Sequence, residues 1–294
     1  MNAAHPTTPW RPVLDVSTEV VDPSRIAALA ALFDDGLPAP LPGDRLPPLW
    51  HWAVLPHWAN SGSLGPDGHP PRGAFLPPVA LPRRMFAGGR VRFLAPLIVG
   101  AIVRREAEVV GVTEKSGRSG SLVIVEVATR LYTSSGTLAI DETQSLIYRA
   151  SAAPSGRPPC PPADLSPGPP LVARSDGQWE LRTDPSLLMR FSAATANAHR
   201  IHYDWPYATS VEGYAGLVVH GPLQALALAE VHRLSGGGAV SEMVHRGHSP
   251  LYCGQPARLR STNRPRGPLL ELFGPAAASG RPGAILDIST GVPQ

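Results

Sequence analysis

An α+β fold made of two similar units is what this sequence predicts, and three observations predict it. Two helix openings of the same composition recur, each followed in the same order by a similar strand-leading motif. Segments rich in β-branched residues come after those motifs. Between the two sets lies a Pro-rich stretch over residues 150–170, ASAAPSGRPPCPPADLSPGPP, which reads as an extended linker. The expected organisation is a first unit over residues 1–149, the linker at 150–170 and a second unit over 171–294.

The elements follow in chain order. Asp22-Pro23-Ser24 opens an apolar stretch at residues 26–33, and Asp184-Pro185-Ser186 opens another at 187–196. Asp caps a helix and Pro fits its first position, so both read as helix starts. Residues 36–82 are rich in Pro and lack helical periodicity. Pro96-Leu97-Ile98-Val99-Gly100 then leads into strands over 101–112, 122–132 and 137–149, with turn signals at Ser116-Gly117 and Ser134-Ser135-Gly136. In the second unit Pro250-Leu251-Tyr252-Cys253-Gly254 leads into 257–262, 269–273 and 284–289. Each match is weak alone; their common order suggests a duplicated domain. The second unit also carries a helix over 221–234, opened by Pro222 and stopped by Gly236-Gly237-Gly238. The first unit has no counterpart, which leaves either room for a ligand or a decorated surface loop.

Bulk properties exclude some classes. The net charge of +3 is too small to argue for nucleic acid. No apolar run approaches the roughly 20 residues that span a membrane. Cys160 and Cys253 make no disulfide framework, so the cytoplasm is the expected compartment. The first thirteen positions lack a basic segment followed by an apolar one, so no signal peptide is expected.

The densest polar cluster is Asn197-Ala198-His199-Arg200-Ile201-His202-Tyr203-Asp204, and Gly216-Leu217-Val218-Val219-His220-Gly221-Pro222 follows it into the helix at 221–234. His is the usual group for moving a proton near neutrality. A helix N-terminus offers free N–H groups to an oxygen that gains negative charge. Together these are the parts needed to add water to an unsaturated thioester. Bland readings stand beside each. His202 alone could be a loop histidine satisfied by backbone, His220 a hydrogen-bonded turn residue, and Asp204 a cap for the next turn. His199, His202 and His220 do not match zinc spacings. Arg83, Arg84 and Arg200 could meet a substrate carboxylate or CoA phosphates, or be merely solvated.

FSAATANAHRIHYDWPYA at 191–208, followed by GLVVHGPL at 216–223, resembles the hydratase motif of the MaoC-like hot-dog family. Trp50-His51-Trp52, LGPDGHPPRGAFLPP at 64–78 and LPRRMFAGG at 81–89 resemble its mesaconyl-CoA, itaconyl-CoA and 3-methylfumaryl-CoA hydratase branch. The likeness covers residues 20–290. It implies a tandem hot-dog, with antiparallel sheets wrapping a central helix and the N-terminal helix lost or shortened. It places His202 on the catalytic His and Gly221 on the oxyanion glycine. Asn197 stands where most members carry Asp, and His199 on the family's Asn position. An amide cannot exchange a proton near neutral pH but can hold a water, so Asn197 is expected to orient water, with His199 or Asp204 assisting His202. Arg200, Arg83, Arg84 and His220 are expected at the substrate. The implied reaction is reversible hydration of a branched dicarboxylyl-CoA, without metal or redox cofactor, in a homodimer. A 3-hydroxyacyl-thioester dehydratase, a thioesterase and a non-catalytic thioester-binding protein are the other readings.

Overall fold

The computed structural model describes residues 10–117, 120–150, 165–275 and 280–291. The first half contains β1 (Asp15–Val20), α1 (Pro23–Phe33), α2 (His51–Val54), β2 (Arg83–Phe93), β3 (Ile102–Gly117), β4 (Gly120–Thr133) and β5 (Leu138–Arg149). The second contains β6 (Leu171–Ala173), β7 (Trp179–Leu181), α3 (Pro185–Ala194), α4 (Gly221–Leu234), β8 (Val240–Gly247), β9 (Ala257–Thr262), β10 (Leu269–Phe273) and β11 (Ala284–Thr290). Most of the expected linker, including Cys160, falls outside the described residues.

The strands form one sheet of 11 in the order β1-β3-β4-β5-β2-β8-β11-β10-β9-β7-β6. The two sheets expected from the sequence are therefore one, continuous through antiparallel pairing of Gly88–Arg92 in β2 with Glu242–Arg246 in β8. Read from its outer edge inwards, the first half runs β1-β3-β4-β5-β2. Read the same way, the second runs β7-β9-β10-β11-β8 after the extra edge strand β6.

The duplicated motifs occupy matching places. Asp22 caps α1 by accepting the Ser24 N–H, and Asp184 caps α3 by accepting those of Ser186 and Leu187. Gly100 N–H donates to Val21 O at 2.8 Å, and Gly254 N–H to Thr183 O at 3.0 Å. Leu46 N–H donates to Leu97 O and Val219 N–H to Leu251 O, each at 2.8 Å. Isolated antiparallel bridges join Arg45 to Ile98 and Val218 to Tyr252. The motif PLxxG is thus a bridge and turn ahead of β3 and of β9, not either strand's first residues.

The halves differ in the helix that should fill the sheet. α4 is apolar almost all round and is buried from Leu223 to His232, packed on β9, β10, β11 and β2. Its counterpart α2 is a single turn. Pro47 and Pro48 precede it and Pro56 follows it; the residue before a proline avoids the helical region. Leu55 accordingly leaves that region, at φ −117° and ψ 56°. Buried side chains tie this short turn down: Trp50 Nε1 donates to Glu230 of α4 at 2.5 Å, and Glu142 accepts from His51 at 3.0 Å and Trp52 at 2.8 Å.

Candidate active site

The short α2 leaves a cleft of about 1570 Å³ between the halves. Trp52, Arg84 and Phe86 of the first half face it, as do Asn197, His199 and His202 of the second. This is the room expected from the Pro-rich segment, and it opens on His202.

His202 sits in a 3-10 turn, Arg200–His202, and is 6% exposed. Its ring is fixed by what lies around it. Nδ1 is 2.6 Å from the Val218 carbonyl oxygen, an acceptor only, so Nδ1 carries the hydrogen and Nε2 keeps its lone pair. Burial, and then the neighbouring His199, push the imidazole down to about 3. The ring is therefore neutral at pH 7 and able to accept a proton. His220 stacks on it, with centroids 3.6 Å apart and planes at 17°. His220 is fully buried, its Nε2 meets Ser192 Oγ at 2.9 Å, and burial holds it well below the usual imidazole range.

Directly after His220, Gly221 opens α4. The first hydrogen bond of the helix runs from Gln224 N–H to His220 O at 3.1 Å, so the Gly221 N–H lies ahead of the helical ladder. A Cβ on Gly221 would come within 2.6 Å of Phe86 Cδ1. That ring has little freedom to yield, since it stacks on His245 with centroids 5.0 Å apart. Glycine is required here by the close approach of a first-half strand. A helix start also carries a positive dipole end.

The remaining expected residues separate into those at the cleft and those beside it. His199 is 3% exposed, lies 5.6 Å from His202 between ring centroids, and is tied to Glu212 at 3.1 Å through Nε2. Asn197 faces the cleft, but its Oδ1 accepts the His199 backbone N–H at 3.0 Å. Its carbonyl shapes the loop with one lone pair, which leaves the second lone pair and Nδ2 for a ligand. Arg200 and Asp204 are engaged with each other at 2.7 Å, and Arg200 also donates to Pro66 O at 3.0 Å. Asp204 Oδ1 accepts the Tyr207 N–H at 3.1 Å, which is the capping role. Neither lines the cleft, so Arg200 as a substrate ligand and Asp204 as an assistant are both corrected.

Arg83 and Arg84 part ways. Arg83 faces Glu212 at 3.8 Å and lies over the Tyr214 ring at 4.7 Å. Arg84 pairs in register with Tyr148 across β2 and β5 and forms no ion pair among the described residues. Tyr148 is fully buried and its hydroxyl has no partner among the described residues. Burial draws the Arg84 guanidinium below its ordinary value, and Tyr148 and Asp67 act the other way.

Sequence reasoning gave no role to His69, which lines the cleft, nor to Asp67, Glu212 and Tyr148, which stand behind His69, His199 and Arg84. Asp67 and His69 lie in the motif LGPDGHPPRG, and nothing local in it announces that it reaches a segment more than a hundred positions away.

Residues 49–253 match the model of the family described as hydroxyacyl-thioester dehydratase type 2. The chain belongs to this family. It is 44% identical over 245 residues to the mesaconyl-C(4)-CoA hydratase of Chloroflexus aurantiacus, covering 83% of this chain and 84% of that protein. In fold it is similar to the crystal structure of HtdX from Mycobacterium tuberculosis, with a TM-score of 0.64 at 18% identity over 95% of this chain and 98% of that one. A second Mycobacterium tuberculosis structure, described as a double hotdog fold, aligns with a TM-score of 0.53 at 16% identity over 96% of each chain. The tandem hot-dog is therefore the architecture, with its N-terminal central helix shortened to one turn. Among the described residues no helix is long and apolar enough to cross a membrane.

Proposed function

We propose that this family member adds water reversibly across the C=C bond of an unsaturated acyl-CoA, with mesaconyl-C(4)-CoA or itaconyl-CoA as the substrate type. The single observation that carries the reading is His202: a buried, neutral imidazole whose Nδ1 is committed to Val218 O, stacked on the residue that precedes the free Gly221 N–H. His202 Nε2 takes a proton from water as the oxygen attacks the β-carbon. The C=C electrons move to the thioester oxygen, and the Gly221 N–H with the helix dipole stabilises the enolate. His202 then returns its proton to the α-carbon, and the enolate collapses to the thioester. Dehydration is the same path reversed.

Residues 171–294 supply the catalytic groups in this reading, and residues 1–149 supply room for the acyl group. The 44% identity to a mesaconyl-C(4)-CoA hydratase favours a dicarboxylyl ester. Arg84, which forms no ion pair among the described residues and lies in register with Tyr148, is where its free carboxylate binds. Acyl-CoA as ligand, the cytoplasm as compartment and a homodimer as assembly belong to the same reading.

The test compares wild type with Arg84→Met on mesaconyl-C(4)-CoA and on crotonyl-CoA, which has the same CoA but no carboxylate. A charge-assisted pair to a carboxylate is worth about 1.5–3 kcal/mol, or roughly 10- to 100-fold. KM for the dicarboxylyl ester is expected to rise by about that factor while crotonyl-CoA is little changed. Equal losses on both would place CoA phosphate at Arg84. Hydration of neither ester by wild type would overturn the function.

A further inference from the structure

The loop at residues 64–69 belongs to the first half yet is built into the catalytic segment of the second. The Arg200 backbone N–H donates to Asp67 O at 3.0 Å, and the Arg200 guanidinium to Pro66 O at 3.0 Å. Gly68 has φ +89°, and a Cβ there would stand 1.8 Å from the Ala198 carbonyl oxygen. The two backbones touch, and only glycine permits both the angle and the approach. Within the loop, Gly65 N–H donates to His69 O at 2.7 Å and Gly68 N–H to Gly65 O at 2.9 Å. Such a turn holds its side chains in fixed positions.

Those side chains form an oriented pair. Asp67 Oδ1 accepts the His69 backbone N–H at 3.0 Å, and Oδ2 lies 3.3 Å from His69 Nδ1. Burial works against the Asp67 charge, but the hydrogen bonds from His69 outweigh it and hold the carboxyl well below its ordinary range. An ionised carboxylate only accepts, so His69 Nδ1 carries the hydrogen. Nε2 is then a lone-pair acceptor, without a protein partner among the described residues, on a ring that lines the cleft. The His69 ring is 4.3 Å from that of His199, itself 5.6 Å from that of His202. Burial, and then Arg84, push His69 down to about 3, so it too is neutral at pH 7.

Resting on the hydration reading, we propose that His69, oriented by Asp67, is a second catalytic residue: its Nε2 accepts a hydrogen bond from the nucleophilic water. Water has two hydrogens and His202 removes one. The other needs an acceptor: the Asn197 carbonyl already takes the His199 backbone N–H, whereas His69 Nε2 has no protein partner among the described residues. His69 receives it, so the water's lone pair is turned to the β-carbon. As the C–O bond forms, the first proton is on His202 and the second stays on oxygen, still held by His69. His202 then gives its proton to the α-carbon. His69 gains and loses no proton, and the water is fully accounted for in the 3-hydroxyacyl product. A site shared in this way makes each half necessary: the first half supplies an acceptor for the nucleophile as well as space.

The experiment uses the full chain with His69→Ala, His69→Gln and His69→Asn, assayed for hydration of mesaconyl-C(4)-CoA and crotonyl-CoA. Binding of butyryl-CoA, a saturated ester that cannot be hydrated, is measured in parallel. The expected result is a fall in kcat of about 10- to 100-fold in His69→Ala on both esters, with butyryl-CoA affinity unchanged. His69→Gln, whose amide oxygen reaches towards the Nε2 position, should keep more activity than His69→Asn, which reaches only the Nδ1 position. A kcat within about twofold of wild type in His69→Ala, or in His69→Asn should the alanine variant not fold, overturns the proposal. So does butyryl-CoA binding that weakens as much as kcat/KM falls, since His69 would then be only a wall. Asp67, His69 and His199 offer ligand atoms within 4.8 Å of one another. Loss of activity on chelation and its return with Zn²⁺ would therefore also overturn the water-accepting role. If wild type hydrates neither ester, the hydration reading falls and this inference with it. If wild type hydrates them and the His69 variants do as well, this inference falls alone.

Discussion

The two halves share a scaffold and differ at one peptide group. Arg45 and Val218 make the same isolated bridge to the same motif, so counting onward from each aligns Pro47 with His220 and Pro48 with Gly221. Gly221 brings an N–H to the start of a helix buried along most of its 14 residues. Pro48 has no N–H to bring, and the helix after it is 4 residues long. The proline that lacks the N–H comes with a segment too Pro-rich to form the helix behind it. In the proposed reading a duplicated fold is divided: one copy keeps the dipole, the donor and the base, while the other gives up its helix to make a cleft. The first half has kept a buried core all the same, with Ile26, Leu29, Phe33 and Trp50 almost fully inaccessible, so the lost helix is offset by packing of α1 and the tied-down turn of α2.

The division is broken most directly at His202. His202→Ala removes the neutral Nε2 and should cut kcat/KM by about 10²–10⁴-fold, the range of general acid–base catalysis. Purified, folded enzyme assayed on an unsaturated acyl-CoA reads this out. Activity near wild type would shift proton transfer to His199 or His69. The pH dependence supplies the sign. An ordinary imidazole, at about 6.5, is mostly protonated at pH 5 and would have lost its base form. His202 is pushed down to about 3, so its base form persists as pH falls and is lost only near that value. kcat/KM of wild type should stay nearly level between pH 7 and pH 5.

A smaller effect is expected from Gly221→Ala. The added Cβ meets the Phe86 ring at 2.6 Å, so either the ring or the helix start must shift, and the N–H moves off the enolate oxygen. Loss of one oxyanion donor is worth about 10²–10³-fold in kcat; a displaced donor should cost less, roughly 10- to 100-fold. Pro48→Gly is the matched change in the other half. It restores an N–H where no helix follows, and kcat should stay within about twofold of wild type. A gain or loss much beyond that would show that the first half takes part in oxyanion binding.

What could be read from the sequence was local. Asp-Pro-Ser caps are settled by contacts a few residues apart and β-branched runs by the strand propensity of their own residues, and the second-half strands at 257–262 and 269–273 coincide with β9 and β10. β2 was legible only as a motif, since Ala87-Gly88-Gly89 looks like a turn. Its glycines answer to distant backbone: a Cβ on Gly88 would stand 2.4 Å from His245 O, and one on Gly89 2.4 Å from Thr143 O. This is the seam that makes the sheet continuous, and only a central strand squeezed from both sides needs it. Similarly, Arg83 and Arg84 are adjacent and alike in sequence. Strand alternation sends one to Glu212 and Tyr214 and the other to Tyr148. Glu212 was silent because nothing local ties it to His199, thirteen positions back, and Asp67 and His69, though two positions apart, because their loop meets residues 198–200 only in the fold.

Asn197 sharpens the comparison with the smallest expected change. Its Oδ1 takes the His199 N–H, which holds the loop that places His199 and, three residues on, His202. Asn197→Ala leaves that N–H without its side-chain acceptor. A side-chain hydrogen bond of this kind contributes about 0.5–1.5 kcal/mol net, so a shift of the loop out of register should reduce kcat by roughly three- to tenfold, well short of the loss in His202→Ala. Asn197→Asp keeps an oxygen in the same place and so keeps the turn. Its second oxygen would face the cleft, where it can accept from water. Turnover in Asn197→Asp should therefore equal or exceed wild type, measured as kcat on the same ester with circular dichroism as the check on folding. A drop in Asn197→Asp as deep as that in Asn197→Ala would mean that the Nδ2 donor is what matters. The amide would then bind the substrate directly, and the second half would hold an additional donor besides Gly221.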